Sequence, residues 1–164
     1  MAKRRGLGKT GLLAACLLLC FLLSGCNENG KSAAFYAQRM MAVEGLLPLG
    51  AWYREDKAPW EEGYLEESLQ RAIFGERSLS FEEIRLFLST EGKETLELAF
   101  VTCYTYEEAS AVGAILASRL RLLQKSAKES GLASLDGGFV ILRGRTVLYA
   151  ACEAGDKIRS SLGV

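Results

Sequence analysis

The residues best placed to do chemistry are Leu23-Ser24-Gly25-Cys26, which close a short apolar run behind a basic N-terminus. Their order is that of a bacterial lipobox. The Cys26 thiol is the group such a site alkylates to a thioether-linked diacylglycerol. Small side chains at Ser24 and Gly25 let the chain enter a peptidase in extended form, and cleavage between Gly25 and Cys26 makes the lipidated cysteine the first residue. Two or three acyl chains (palmitate and its like), each contributing ~0.8 kcal/mol per buried CH₂, hold a protein stably at a bilayer. Lys3, Arg4, Arg5 and Lys9 supply the positive start of a signal peptide. Leu12 to Leu23 is its apolar stretch, about 18 Å long as a helix at ~1.5 Å per residue, against a hydrocarbon core of ~30 Å. A permanent membrane span is therefore not expected. The plainer reading is an ordinary secretory signal with an incidental cysteine. The polar run Asn27 to Ser32 and the length of the apolar stretch favour the lipobox.

The remaining chemistry is sparse. The chain has no histidine, which removes Ser-His-Asp and Cys-His nucleophilic sites and the usual His-containing zinc sites. No metal ligand set, phosphate-cradling glycine loop or calcium loop is present in the sequence, so no metal and no cofactor are expected. Adjacent acids recur at Glu61-Glu62, Glu66-Glu67, Glu82-Glu83 and Glu107-Glu108. A glycosidase-type carboxylate pair can be assembled from such residues, but acids in first helical turns and on polar faces already serve dipole stabilisation and solubility. No catalytic residue is assigned. Cys16 and Cys20 leave with the leader and Cys26 takes lipid, so Cys103 and Cys152 remain. In an exported chain they are a candidate disulfide closing a loop of roughly 50 residues, a gain of ~4 kcal/mol. The plainer reading, two buried thiols packing as small apolar side chains, is preferred because pairing depends on strand register.

Two residue sets suit binding. Trp52, Tyr53 and Trp60 share a proline-containing segment and, if exposed, fit a sugar ring or a protein partner; the alternative is that they cover the sheet as core. Arg119, Arg121, Arg143 and Arg145 form a basic patch if the long helix passes the hairpin; the alternative is a solvated helix face and a turn.

Removal of residues 1–25 leaves 139 residues, with 16 basic against 20 acidic, a net charge near −4. This balance speaks against nucleic acid as a partner. Residues 26–34 read as a lipidated tether and 35–164 as a single domain.

The elements that would position these groups follow from periodicity. Residues 35–47 suggest a short amphipathic helix stopped by Pro48, and 48–63 read as a loop. Tyr64 to Phe74 has helical spacing before Gly75. Ser80-Phe81-Glu82-Glu83 matches a capping box, which predicts a short helical turn running toward Leu86 or Leu88. Glu94 to Tyr104 has strand spacing. Thr105-Tyr106-Glu107-Glu108 is a second capping box, opening a helix over 106–130 that Gly131 terminates. Phe139 to Arg143 and Thr146 to Cys152 read as a hairpin turning at Gly144-Arg145, and Asp156 to Leu162 as a last helical turn or two. The expected fold is α+β: a small antiparallel sheet in β-α-β-β order, covered in two layers by one long amphipathic helix, with short N-terminal helices.

Over residues 64–160 the chain resembles the family named domain of unknown function 4358. The resemblance is carried by Glu97-Leu98-Ala99-Phe100-Val101, by Ser118-Arg119-Leu120 and Gln124-Lys125 in the capped helix, and by Gly138-Phe139-Val140-Ile141-Leu142-Arg143-Gly144-Arg145-Thr146-Val147-Leu148-Tyr149. Ala72-Ile73-Phe74-Gly75 is similar to that family's apolar-aromatic-glycine step. The resemblance implies small lipoproteins, seen mainly in Gram-positive bacteria, without an assigned activity. Two departures stand out: Arg145 where members often carry a small polar residue, and the poorly matching segment 48–63. The functional expectation is a non-catalytic binding or interaction module, lipid-anchored on the extracytoplasmic face of the cell membrane and docking a protein or envelope ligand through the face around 48–63. The alternatives are a carboxylate-dependent envelope hydrolase and a structural or stress lipoprotein without a specific ligand.

Overall fold

The computed structural model describes residues 30–75, 79–90, 96–131 and 134–164. The leader, with Gly25 and Cys26, lies outside the described residues. In chain order the elements are α1 (Ala33–Met41), β1 (Gly50–Arg54), α2 (Glu67–Phe74), β2 (Glu83–Ser89), β3 (Glu97–Thr102), α3 (Tyr106–Ser130), β4 (Phe139–Arg143), β5 (Thr146–Ala151) and α4 (Gly155–Leu162). The fold is α+β. Its five strands pair antiparallel in the order β1-β2-β3-β5-β4.

The long helix forms where the capping box predicts. Thr105 Oγ1 accepts from the Glu108 amide at 3.1 Å, and Glu108 Oε2 accepts from the Thr105 amide at 3.0 Å. The helix ends at Gly131 in the left-handed conformation, φ +64°. Ala109, Val112, Leu116 and Leu120 bury its inner stripe against Ala99, Val101, Val147 and Tyr149 of the central strands, with Ile73 and Phe74 of α2 alongside. The hairpin β4–β5 turns at Gly144, φ +59°.

Three expectations are corrected. The segment expected to open a helical turn at Ser80 instead leads into the inner strand β2, which begins at Glu83. Ile84 and Leu86 face α3 while Phe87 faces the other way, and this alternation, with strands on both sides, outweighs a local capping pattern. Glu82 and Glu83 bind Arg145 and Arg85 instead of capping. The segment 48–63 is not wholly loop, since β1 occupies its start at the sheet edge. There are three layers, not two. The second face of the sheet is covered by α1 and α4, whose Tyr36, Ala37, Met40, Ile158 and Leu162 pack on Phe100, Leu98 and Leu148. All six residues of β3 and all six of β5 are buried because both faces are covered.

The domain also starts earlier than residue 35. The Ala33 amide donates to Thr102 Oγ1 at 2.8 Å, and the Thr146 hydroxyl donates to the Lys31 carbonyl at 2.9 Å. The two hydroxyls are 3.1 Å apart. With the Thr146 proton spent on Lys31, Thr102 donates to Thr146 and every group in the chain is satisfied. This buried latch ties the start of α1 to the ends of both central strands. Gly30 packs immediately outside it: a Cβ there would stand 1.9 Å from the Arg143 carbonyl oxygen, so only glycine fits.

Candidate functional site

The aromatic trio of the 48–63 segment is divided by the strand it lies on. Successive residues of β1 point to opposite faces. Trp52 packs on Phe87 and Phe100, with ring centroids 5.3 and 6.1 Å away, while Tyr53 packs with the cluster under α3. Trp52 and Tyr53 are therefore sheet cover. Trp60, in the loop beyond β1, is 86 % exposed. The expected three-ring surface reduces to one.

The arginines do not form one patch. The Arg119 guanidinium meets the Glu97 carboxylate through two bonds, Nε–Oε1 at 2.6 Å and Nη2–Oε2 at 2.7 Å, and donates to the Ala72 carbonyl. Glu97 is buried in β3, and the wholly buried Tyr149 ring lies beside the pair. The Glu97 hydrogen bonds raise the Arg119 pKa further, while burial opposes this. Burial first, and then the Glu97 charge, pushes the Tyr149 hydroxyl far above its ordinary range. Arg145 sits at the opposite end of the strands, bound to Glu82 at 2.7 Å and to the Cys103 and Tyr104 carbonyls. Arg143 is exposed on the edge strand and Arg121 on the outside of α3.

The candidate disulfide is excluded by register. Thr102 is opposite Thr146 and Glu97 opposite Ala151, so Cys103 and Cys152 lie at opposite ends of the β3–β5 pair. At ~3.4 Å per residue this is on the order of 20 Å, where a bridge needs Cα atoms within ~7 Å. Both thiols are free and buried, in different cores. Burial raises each from 9.0 to about 11, with Glu108 adding at Cys103 against Arg145, and Arg159 opposing at Cys152. Neither is an activated nucleophile.

Register also sorts the surface into two ends. Arg54, Glu83, Thr102, Thr146 and Arg143 end their strands on one side. Gly30 and Lys31 leave the domain there, next to the hairpin turn. Tyr104 and Tyr106 follow β3 at this end, 56 % and 57 % exposed, and the Trp60 loop leaves β1 there. A groove of about 400 Å³ between α1, β4 and the end of α4 is lined by Lys31, Arg39 and Arg143 with Phe35 and Leu142, and no acidic side chain lines it. The other end carries the exposed Met41, Val43 and Leu49. Beside them is a cleft of about 300 Å³ lined by Leu46, Pro48, Leu96, Cys152 and Ile158.

Sequence reasoning missed the Glu97–Arg119–Tyr149 cluster and the threonine latch. The available signal was polar residues inside apolar strand runs: Glu97 and Thr102 in β3, Thr146 in β5. Among the described residues no group of three or more His, Cys, Asp and Glu side chains is arranged to hold a metal ion, and no helix is long and apolar enough to cross a membrane. No family model, curated protein or solved structure matches the chain.

Proposed function

We propose that this chain is a lipid-anchored, extracytoplasmic interaction module, processed after Gly25 and acylated on Cys26. The observation that carries the reading is the lipobox Leu23-Ser24-Gly25-Cys26 standing four residues ahead of Gly30, which is already part of the folded domain. A linkage so short holds the globule at the bilayer rather than on a stalk. The resemblance to lipoproteins of the domain of unknown function 4358 family supports the same location. A binding role is favoured over hydrolysis because carboxylates of the adjacent pairs are engaged internally. Glu67 binds Arg71, Glu82 binds Arg145, Glu83 binds Arg85 and the Ala34 amide, and Glu108 caps α3. The surface left open to a partner is the end opposite Gly30, with Val43 and Leu49 beside the cleft.

Replacing Cys26 with alanine tests the anchor. Fractionated cells should then hold the chain with its leader uncleaved, and the mass of the wild-type chain should show residues 1–25 replaced by acyl groups. An unmodified wild-type N-terminus, or a wild-type chain that is cleaved, carries no acyl group and still pellets with membranes, would end the proposal. In the same cells a photo-crosslinker at Leu49 should give protein adducts that one at Arg121, on the outer face of α3, does not.

A further inference from the structure

The exposed aromatic side chains gather at one end of the sheet, where Leu142 is the one exposed aliphatic side chain beside them among the described residues; Leu122 is exposed on α3. Trp60, Tyr104 and Tyr106, the three most exposed aromatics among the described residues, all belong to the end from which Gly30 leaves, whereas Met41, Val43 and Leu49 lie at the other. Tryptophan and tyrosine combine an apolar ring with one polar atom, which suits them to the headgroup level of a bilayer rather than to water or hydrocarbon. The chain length before Gly30 brings them there. Four residues from Cys26 span at most ~14 Å in any conformation, less than the thickness of the domain along its strands. The latch at Lys31, Thr102 and Thr146 fixes the exit point, so the domain cannot turn this end away without unfolding its first helix.

We propose that this end of the sheet is a membrane-docking face. Tyr104, Tyr106 and Trp60 enter the headgroup layer, and Lys31 and Arg143 stand at the level of the lipid phosphates. Both cations are exposed and form no ion pair among the described residues, Lys31 resting 4.2 Å from the Phe35 ring centroid. Of the acids nearby, Glu82 is held by Arg145 and Glu83 by Arg85. Glu55 and Asp56 pair with Arg85 and Arg54, but Glu61, Glu62 and Glu107 are also exposed at the same end, so the rings rather than bulk charge carry the contact, and added salt should change it little. The proposal rests on acylation at Cys26, which supplies the tether.

The test uses the full lipoprotein, purified from membranes and reconstituted into vesicles of phosphatidylcholine and phosphatidylglycerol, with and without bromine high on the acyl chains. Because Trp52 belongs to the core, the Trp60 signal is taken as the difference between the wild-type chain and Trp60→Phe. Bromine should lower that difference at least about twofold, and without bromine its emission should lie to the blue of an indole in water, as expected at headgroup depth. The double variant Tyr104→Ser, Tyr106→Ser, altered only at exposed positions, should lose most of the quenching while still floating with the vesicles. Flotation with an unquenched Trp60 overturns the docking face and leaves the anchor standing. Full quenching in the double variant removes the tyrosines and with them the face as drawn. Wild-type protein that does not float overturns both readings.

Discussion

Glu97 and Arg119 put a carboxylate and a guanidinium inside a layer of apolar side chains, and their geometry decides whether that is tolerated. The bond pair at 2.6 and 2.7 Å is bidentate, the arrangement that best compensates removal of both charges from water. Loss of one partner is worse than loss of both. Arg119→Met should therefore cost about 3 kcal/mol in urea unfolding, and Glu97→Gln added to it should recover part of that loss. If the double variant is the weaker one, the pair is not coupled as described. At this scale the sequence was only half legible. Helix periodicity places Arg119 beside the apolar stripe, where it reads as a surface cation, and nothing local says that Glu97 lies opposite. The pairing depends on the crossing of α3 over β3. Trp52, Tyr53 and Trp60 were separable in principle: recognising residues 50–54 as a strand assigns neighbouring rings to opposite faces. Cys103 and Cys152 needed the register between β3 and β5, which no single-strand pattern contains.

Helix α3 was readable to the residue because every local signal agrees: capping box, apolar stripe and terminal glycine. The cap gives a direct test. Thr105→Ala removes the acceptor for the Glu108 amide and should destabilise the domain by about 1 kcal/mol, while Thr105→Ser should hold it near the wild-type value. An alanine variant with an unchanged urea midpoint would mean that the capping pair contributes nothing. Strand β2 shows the opposite case. Ser80-Phe81-Glu82-Glu83 has capping-box residues, but Ile84, Leu86 and Phe87 supply a two-sided strand with a neighbour on each edge. A local motif competes there with two ladders of hydrogen bonds and loses. Strand β1 escaped notice for a related reason. It is short, sits at the edge after Pro48 and carries aromatic residues that also suit a loop.

For the molecule as a whole, the second covering layer matters most. One sheet serves two cores, so neighbouring residues of β3 belong to different ones: Phe100 packs under α1 and Val101 under α3. The two cores cannot separate without dismantling the strands they share. Val101→Ala should therefore lower the urea midpoint reported by Trp52 fluorescence, although Trp52 lies on the other face, and the same shift should appear in far-ultraviolet circular dichroism. A Trp52 transition that stays put while the circular dichroism moves would show two independent halves. The order β1-β2-β3-β5-β4 has a further consequence for a chain that is synthesised N-terminus first. Strand β5 fills the place between β3 and β4, yet it ends only at Ala151. Until nearly all of the polypeptide has been made, β3 lacks its second neighbour and the latch lacks Thr146. The topology thus postpones the full tertiary structure until synthesis is almost complete.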